Sequence, residues 1–164
     1  VELQLSKRPA IDISYPALAE FFAATGNAEP TPPEVFDAVV AIRSSKLPDP
    51  AREPNAGSFF KNPVLTPDEM RALATKAQGI ACYPQPDGLL KVPAAWMIER
   101  CGWKGCRRDG MGVHDRHALV LVNYCDDKGD NDGAKLLDLA REVADSVRTT
   151  FGIELEMEPR VYGA

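Results

Sequence analysis

The sequence predicts an α+β fold, a small mixed or antiparallel sheet packed with several helices. Two observations carry this. Segments of helical period and short strand-like segments follow one another without the strict alternation that marks a doubly wound sheet. The longest amphipathic stretch, about Asp132 to Phe151, gives way at once to Ile153, Leu155 and Met157 alternating with Glu154, Glu156 and Glu158, the pattern of a strand with one wet face. There is no internal repeat.

In chain order, Glu2 to Ser6 alternates and reads as a short strand, and Pro16 to Ala24 as a short helix. Thr31-Pro32-Pro33-Glu34 is a capping box with proline at the first helical position. Val35, Phe36, Val39, Val40 and Ile42 then form an apolar face at helical spacing. Pro48 and Pro50 stop that helix, so a loop from Lys46 leads to Ser58. Thr66-Pro67-Asp68-Glu69 starts a second capped helix, with Met70, Leu73 and Ala77 inward and Gly79 as its stop. Leu89 to Val92 suits a strand, Pro93 to Cys101 a helix stopped by Gly102. Met111 to His114 and Ala118 to Asn123 suit two strands joined by a tight connection. The last helix carries Leu136, Leu137, Ala140, Val143, Val147 and Phe151 on one stripe.

Bulk properties narrow the function classes. The 164 residues, 45 % hydrophobic and 26 % charged, fit one soluble globular domain. No apolar run approaches the ~18 residues of a transmembrane helix, and no basic-then-apolar start marks a signal peptide. The first residue is Val1, as expected of a fragment or a processed chain. A net charge of −5 argues against general nucleic-acid binding. Arg100, Lys104, Arg107, Arg108 and Arg116 nevertheless cluster around His114 and His117. Such a cluster is either a solvated loop surface or a patch for an anionic small molecule such as a diphosphate. Cys82, Cys101, Cys106 and Cys125 form no Cys-x-x-Cys pair, so reduced thiols are expected rather than a metal site. The acidic run Asp126 to Gly133 invites a calcium reading, but the twelfth loop position is Leu139 where a glutamate is needed, so a solvated turn is expected.

Ala56-Gly57-Ser58-Phe59-Phe60-Lys61-Asn62-Pro63 is the most informative stretch. Glycine lets backbone approach a ligand, two aromatics anchor the segment, and a hydroxyl, a cation and an amide follow one another closely. The same residues also suit a buried strand edge with polar ends. A Ser58/His114 hydrolase pair is a weaker reading, because no nucleophile-elbow sequence surrounds Ser58.

Ser58-Phe59-Phe60-Lys61-Asn62-Pro63, preceded by Lys46-Leu47-Pro48-Asp49-Pro50, resembles the flavoenzyme family of UDP-N-acetylenolpyruvoylglucosamine reductases (UDP-N-acetylmuramate dehydrogenases). The resemblance continues in order through Tyr83-Pro84-Gln85, Lys91, Ala94 to Glu99, Gly112-Val113-His114, Ala118 to Asn123 and Leu155 to Gly163. It covers essentially the whole chain. It implies that residues 1–14 are a remnant of a flavin-binding domain, 15–152 a substrate-binding C-terminal domain, and 153–164 a strand returning toward the flavin domain. Family members are roughly twice this long, so most of the FAD site would lie outside these residues and the fragment alone would be inactive.

The resemblance also implies the chemistry. NADPH reduces FAD, and the flavin passes a hydride to the enolpyruvyl group of UDP-N-acetylglucosamine enolpyruvate, a cytoplasmic step of bacterial peptidoglycan synthesis by a monomer that needs neither nucleic acid nor membrane. Ser58 matches the family's proton donor and Glu158 its second catalytic residue. Tyr15, Lys46, Asn62, Tyr83 and Lys91 match substrate-side positions, and Arg160 a cofactor-binding one. His117 stands where the family usually has glutamine at a diphosphate contact. Histidine still donates there, with a different reach and a titration near neutrality. The resemblance implies no metal. A stand-alone nucleotide-sugar binding module without redox activity is the alternative, and a protein-interaction domain a third reading.

Overall fold

A computed structural model describes residues 2, 4, 6–125 and 133–162. The chain divides into two units, Val1–Lys46 and Leu47–Ala164. Leu3 and Leu5 of the strand expected at Glu2 to Ser6, and residues 126–132 of the acidic turn Asp126 to Gly133, lie outside the described residues.

In the first unit, α1 (Pro16–Thr25) packs on α2 (Pro32–Lys46). Gly26 adopts the left-handed conformation that ends α1. At the start of α2, Glu34 accepts from both the Thr31 amide and its hydroxyl, at 2.7 and 2.6 Å. Those bonds hold the Glu34 carboxyl below its ordinary range. The apolar face expected on α2 is covered only in part within this unit. Ala38 is buried, with Val35 and Ile42 half-buried, against Leu18 and Phe22 of α1. Phe36, 69 % exposed, Val39 and Val40 point to solvent in this unit. The two packed helices share one narrow stripe, and the rest of the apolar face has nothing described within the unit to cover it.

The second unit holds β1 (Asn55–Ser58), β2 (Val64–Leu65), α3 (Pro67–Ala74), β3 (Tyr83–Pro84), β4 (Leu90–Lys91), α4 (Ala94–Arg100), β5 (Arg107–Arg108), β6 (Met111–Val113), β7 (Val120–Asn123) and α5 (Gly133–Phe151). Four strands form one antiparallel sheet in the order β1-β7-β6-β5, and three form another in the order β2-β4-β3. This is the α+β arrangement the sequence predicts. Helix α5 packs its Ala140, Val143, Val147 and Phe151 stripe on β6, β7 and α4. The buried core also takes Phe60, Leu73, Met97, Ile98, Met111 and Leu121. A side chain at Gly112 would meet the Cys106 carbonyl at 2.7 Å and the Tyr124 ring at 2.9 Å, so only glycine lets β6 lie between them.

Two expected elements come out shorter. Helix α3 carries the complete Thr66–Glu69 capping box but ends at Ala74, where Lys76 and Ala77 amides both turn onto the Leu73 carbonyl. The strand expected from Ile153 is an extended segment with one bridge, Phe60 to Met157. Ile153 and Leu155 are half-buried between exposed glutamates, but Met157 is exposed. Among the described residues no helix is long and apolar enough to cross a membrane.

Candidate functional site

The geometry at Ser58 starts from a bulge. Asn55 lies opposite Val122 and Ser58 opposite Val120, so β1 spends three steps where β7 spends two. Gly57 takes up the extra residue at φ +73°, left-handed backbone that glycine adopts without strain. Directly opposite residues project to one face, so Ser58 stands with Val120 and Val122. In unbroken register it would oppose Leu119, whose face carries the main core. The bulge therefore turns an exposed hydroxyl away from the core while Phe59, 4 % exposed, and Phe60, 1 % exposed, sink into it edge to face.

The next residues gather the other candidates. The Phe59 amide donates to the Leu119 carbonyl at 2.8 Å, and the Glu158 amide donates to the Phe59 carbonyl at 2.9 Å. The Lys61 amide donates to the Glu156 carbonyl, and the Lys61 and Glu156 side chains pair. Two sequence-distant segments are thus zipped together, and Glu158, exposed, is set beside Ser58–Phe59 by main-chain bonds. His117 lies in the turn that enters β7 at the same end. Its carbonyl accepts from Val120 and its Nδ1 from the Leu119 amide at 3.3 Å.

Further along the same segment, Asn62 Oδ1 accepts from the Ala94 amide at 3.0 Å, which caps α4. Asn62 also lines a cavity of about 520 Å³ with Lys61, Glu69, Glu154 and Glu156. Lys91 sits in the middle of the small sheet, opposite Val64 on one side and Tyr83 on the other. The strand register puts the Tyr83 and Lys91 side chains on one face, with Tyr83 56 % exposed and Lys91 half-buried. An ammonium and a phenol side by side suit a diphosphate. Tyr15 and Lys46 belong to the first unit. Tyr15 is the exposed N-cap of α1, accepting there with its carbonyl, and Lys46 is the exposed last residue of α2.

The cation cluster is internally engaged. Arg108 pairs with Glu142 at 2.6 Å and stacks on Trp103, Lys104 pairs with Glu99, and Arg100 stacks on Trp96. Arg107 covers the Tyr124 ring at 3.7 Å. Burial raises the Tyr124 phenol above its ordinary range, against the opposing pull of Arg107. His114 is 2 % exposed. Its Nδ1 accepts from the Arg116 amide at 3.1 Å, and its Nε2 lies 3.6 Å from carboxylate oxygens of Glu53 and Asp115. Both ring nitrogens are turned to these partners, so the ring is not arranged as a base for Ser58. Sequence reasoning missed Glu53 and Asn55. The Asn-x-Gly spacing of Asn55 and Gly57 was the available signal.

Arg160 is exposed at a cavity of about 530 Å³ lined also by Ala56, Phe59, Pro159 and Tyr162. A guanidinium lining a cavity together with aromatic residues suits a flat, anionic ligand.

Comparison with known proteins decides the relationship. The profile of the UDP-N-acetylenolpyruvoylglucosamine reductase C-terminal domain matches residues 49–162. The chain belongs to the UDP-N-acetylenolpyruvoylglucosamine reductase family. It is 57 % identical over 129 residues to the reductase of Burkholderia multivorans, covering 79 % of this chain and 36 % of that protein. It is 48 % identical over 161 residues to the reductases of Burkholderia ambifaria and Paraburkholderia phymatum, covering 97 % of this chain and 45 % of each. The chain thus spans less than half the length of these reductases.

Proposed function

We propose that this chain is the substrate-side part of a reductase that converts UDP-N-acetylglucosamine enolpyruvate to UDP-N-acetylmuramate. NADPH would be the electron source and FAD the bound carrier, in bacterial peptidoglycan synthesis. The observation that supports this best is the main-chain pairing that sets Glu158 beside Ser58–Phe59. Residues 1–14 would belong with a flavin domain, and Arg160 would contact the flavin. When bound, that group supplies the hydride. Since the chain spans less than half of its relatives, the 164 residues alone would not turn over.

The residues here serve the other half of the chemistry. Hydride adds to the terminal carbon of the enolpyruvyl double bond, and the electron pair moves to the carbon beside the carboxylate. The resulting enolate is strongly basic, so a weak acid suffices to quench it. Ser58 gives its Oγ proton to that carbon and is re-protonated from water. Glu158 steadies the charge that builds on the substrate carboxylate. Tyr83 and Lys91 hold the diphosphate, with His117, Asn62, Tyr15 and Lys46 as further substrate contacts.

In the full-length reductase, Ser58→Ala should leave flavin reduction by NADPH nearly intact. It should slow flavin reoxidation by substrate roughly 10²–10⁴-fold, the usual worth of a positioned acid. Equal slowing of both half-reactions contradicts the role.

A further inference from the structure

Asn55 has no part in the chemistry just described, yet its side chain spans the bulge that presents Ser58. Its Nδ2 donates to the Glu53 carbonyl at 2.7 Å, and its Oδ1 accepts from the Gly57 amide at 2.9 Å. Both bonds are half-buried, so water competes poorly for them. The upstream end of this clamp is itself held. The Asn123 amide donates to the Pro54 carbonyl at 2.9 Å, the Glu53 amide donates to the Asp49 carbonyl at 2.8 Å, and the Glu53 carboxylate faces buried His114. The downstream end is Gly57, whose left-handed backbone decides on which face Ser58 stands. A Cβ at Gly57 would meet nothing within 4 Å, so no side chain packs on that side of the residue, and the Asn55 bond holds its amide.

We propose that Asn55 is the positioning residue for Ser58, holding the Gly57 bulge in the form that carries the Ser58 hydroxyl to the substrate face. This rests on the reading of Ser58 as the proton donor. Asparagine is suited because one side chain must donate on one side of the bulge and accept on the other. Alanine can do neither, and aspartate can only accept.

The test is a double-variant cycle in the full-length reductase, read as flavin reoxidation by substrate and as amide exchange at Gly57. Asn55→Ala should slow reoxidation about 10- to 100-fold, as loss of alignment does, with KM little changed. In a Ser58→Ala background the same change should add less than about twofold, because the group it aligns is gone. A merely structural role would slow both backgrounds alike. The Gly57 amide should exchange faster in Asn55→Ala with either residue at 58. Asn55→Asp keeps the acceptor for Gly57 and should slow the step less, again only when Ser58 is present. The cycle stands on that variant if the alanine variant does not fold. Equal slowing in both backgrounds, or none, overturns the proposal and leaves Ser58 in its role. A Ser58→Ala variant that reoxidises at the normal rate overturns the reading of Ser58, and the proposal with it.

Discussion

Val1–Lys46 and Leu47–Ala164 hold their candidate residues in different ways. In the larger unit, Ser58, Glu158, Lys91 and Tyr83 are placed by main-chain pairing between distant segments, over a core that includes Phe60, Val113 and Val143. In the smaller one, Tyr15 and Lys46 sit at helix ends, and the described buried core is Leu18, Phe22 and Ala38. Strand register fixes a side chain's face and neighbours at once. A helix end fixes only where a long, free side chain begins. The lesson is that register carries the precise part of this candidate site, and reach carries the rest.

The largest effect should come from the core beneath the paired segments. Phe60→Ala should cost about 3–5 kcal/mol, the range for deleting a buried phenylalanine. Phe36→Ala on the exposed face of α2 should stay within about 0.5 kcal/mol in this chain. Denaturant midpoints would show both, and equal costs would break the contrast. Next is affinity for UDP, measured by calorimetry on the full-length reductase. Lys91→Ala should weaken it about 10- to 150-fold, since a hydrogen bond to a charged group is worth roughly 1.5–3 kcal/mol. Lys46→Ala should weaken it less, because a long side chain on a helix end loses more freedom when it binds. The reverse ranking would put precision at the helix ends instead.

A smaller effect tests the caps. Thr66→Ala should cost about 1 kcal/mol at neutral pH. The backbone and hydroxyl bonds from Thr66 hold the Glu69 carboxyl below its model-compound value of 4.5. A carboxyl with a depressed folded pKa contributes stability above its unfolded pKa and loses it as pH falls through the folded one. Thr66→Ala removes the hydroxyl bond but keeps the backbone one, so it loses only the smaller part of this pH-dependent stability. The gap between the two unfolding midpoints should narrow without closing from pH 7 down to pH 3, and a constant gap would count against the hydroxyl's part in the box.

Much of this was legible in the sequence because it is local. The capping box at Thr66, the Thr31–Glu34 bonds at the start of α2, the α5 stripe and the β6–β7 pair are each written within about 20 residues. Strand β1 was left open between a loop and a buried strand edge, and β2, β3 and β5 were not read at all. Two-residue strands have no period to detect, and they exist because of partners far along the chain. How much of the α2 face is covered was not legible, because hydrophobicity says which residues could be buried, not how many of them a neighbour covers. Ser58 and Glu158 were named by resemblance. Glu158 is brought opposite Phe59, the residue after Ser58, by a main-chain bond that spans about a hundred residues and leaves no local trace. Asn55 was missed for a different reason. Its Asn-x-Gly signal is local, but its meaning depends on the β7 register.

The most direct measurement of the central claim, that Ser58 and Glu158 act in one step, is substrate-driven flavin reoxidation in the full-length reductase. It should be followed in Ser58→Ala, Glu158→Gln and the double variant. Residues that act together in one transition state lose their effect together. The account predicts that each single variant slows this half-reaction, spares reduction by NADPH, and that the double variant is slowed little more than the slower single one. Slowing in the double variant equal to the product of the two singles would mean that the two residues act independently, and would contradict it.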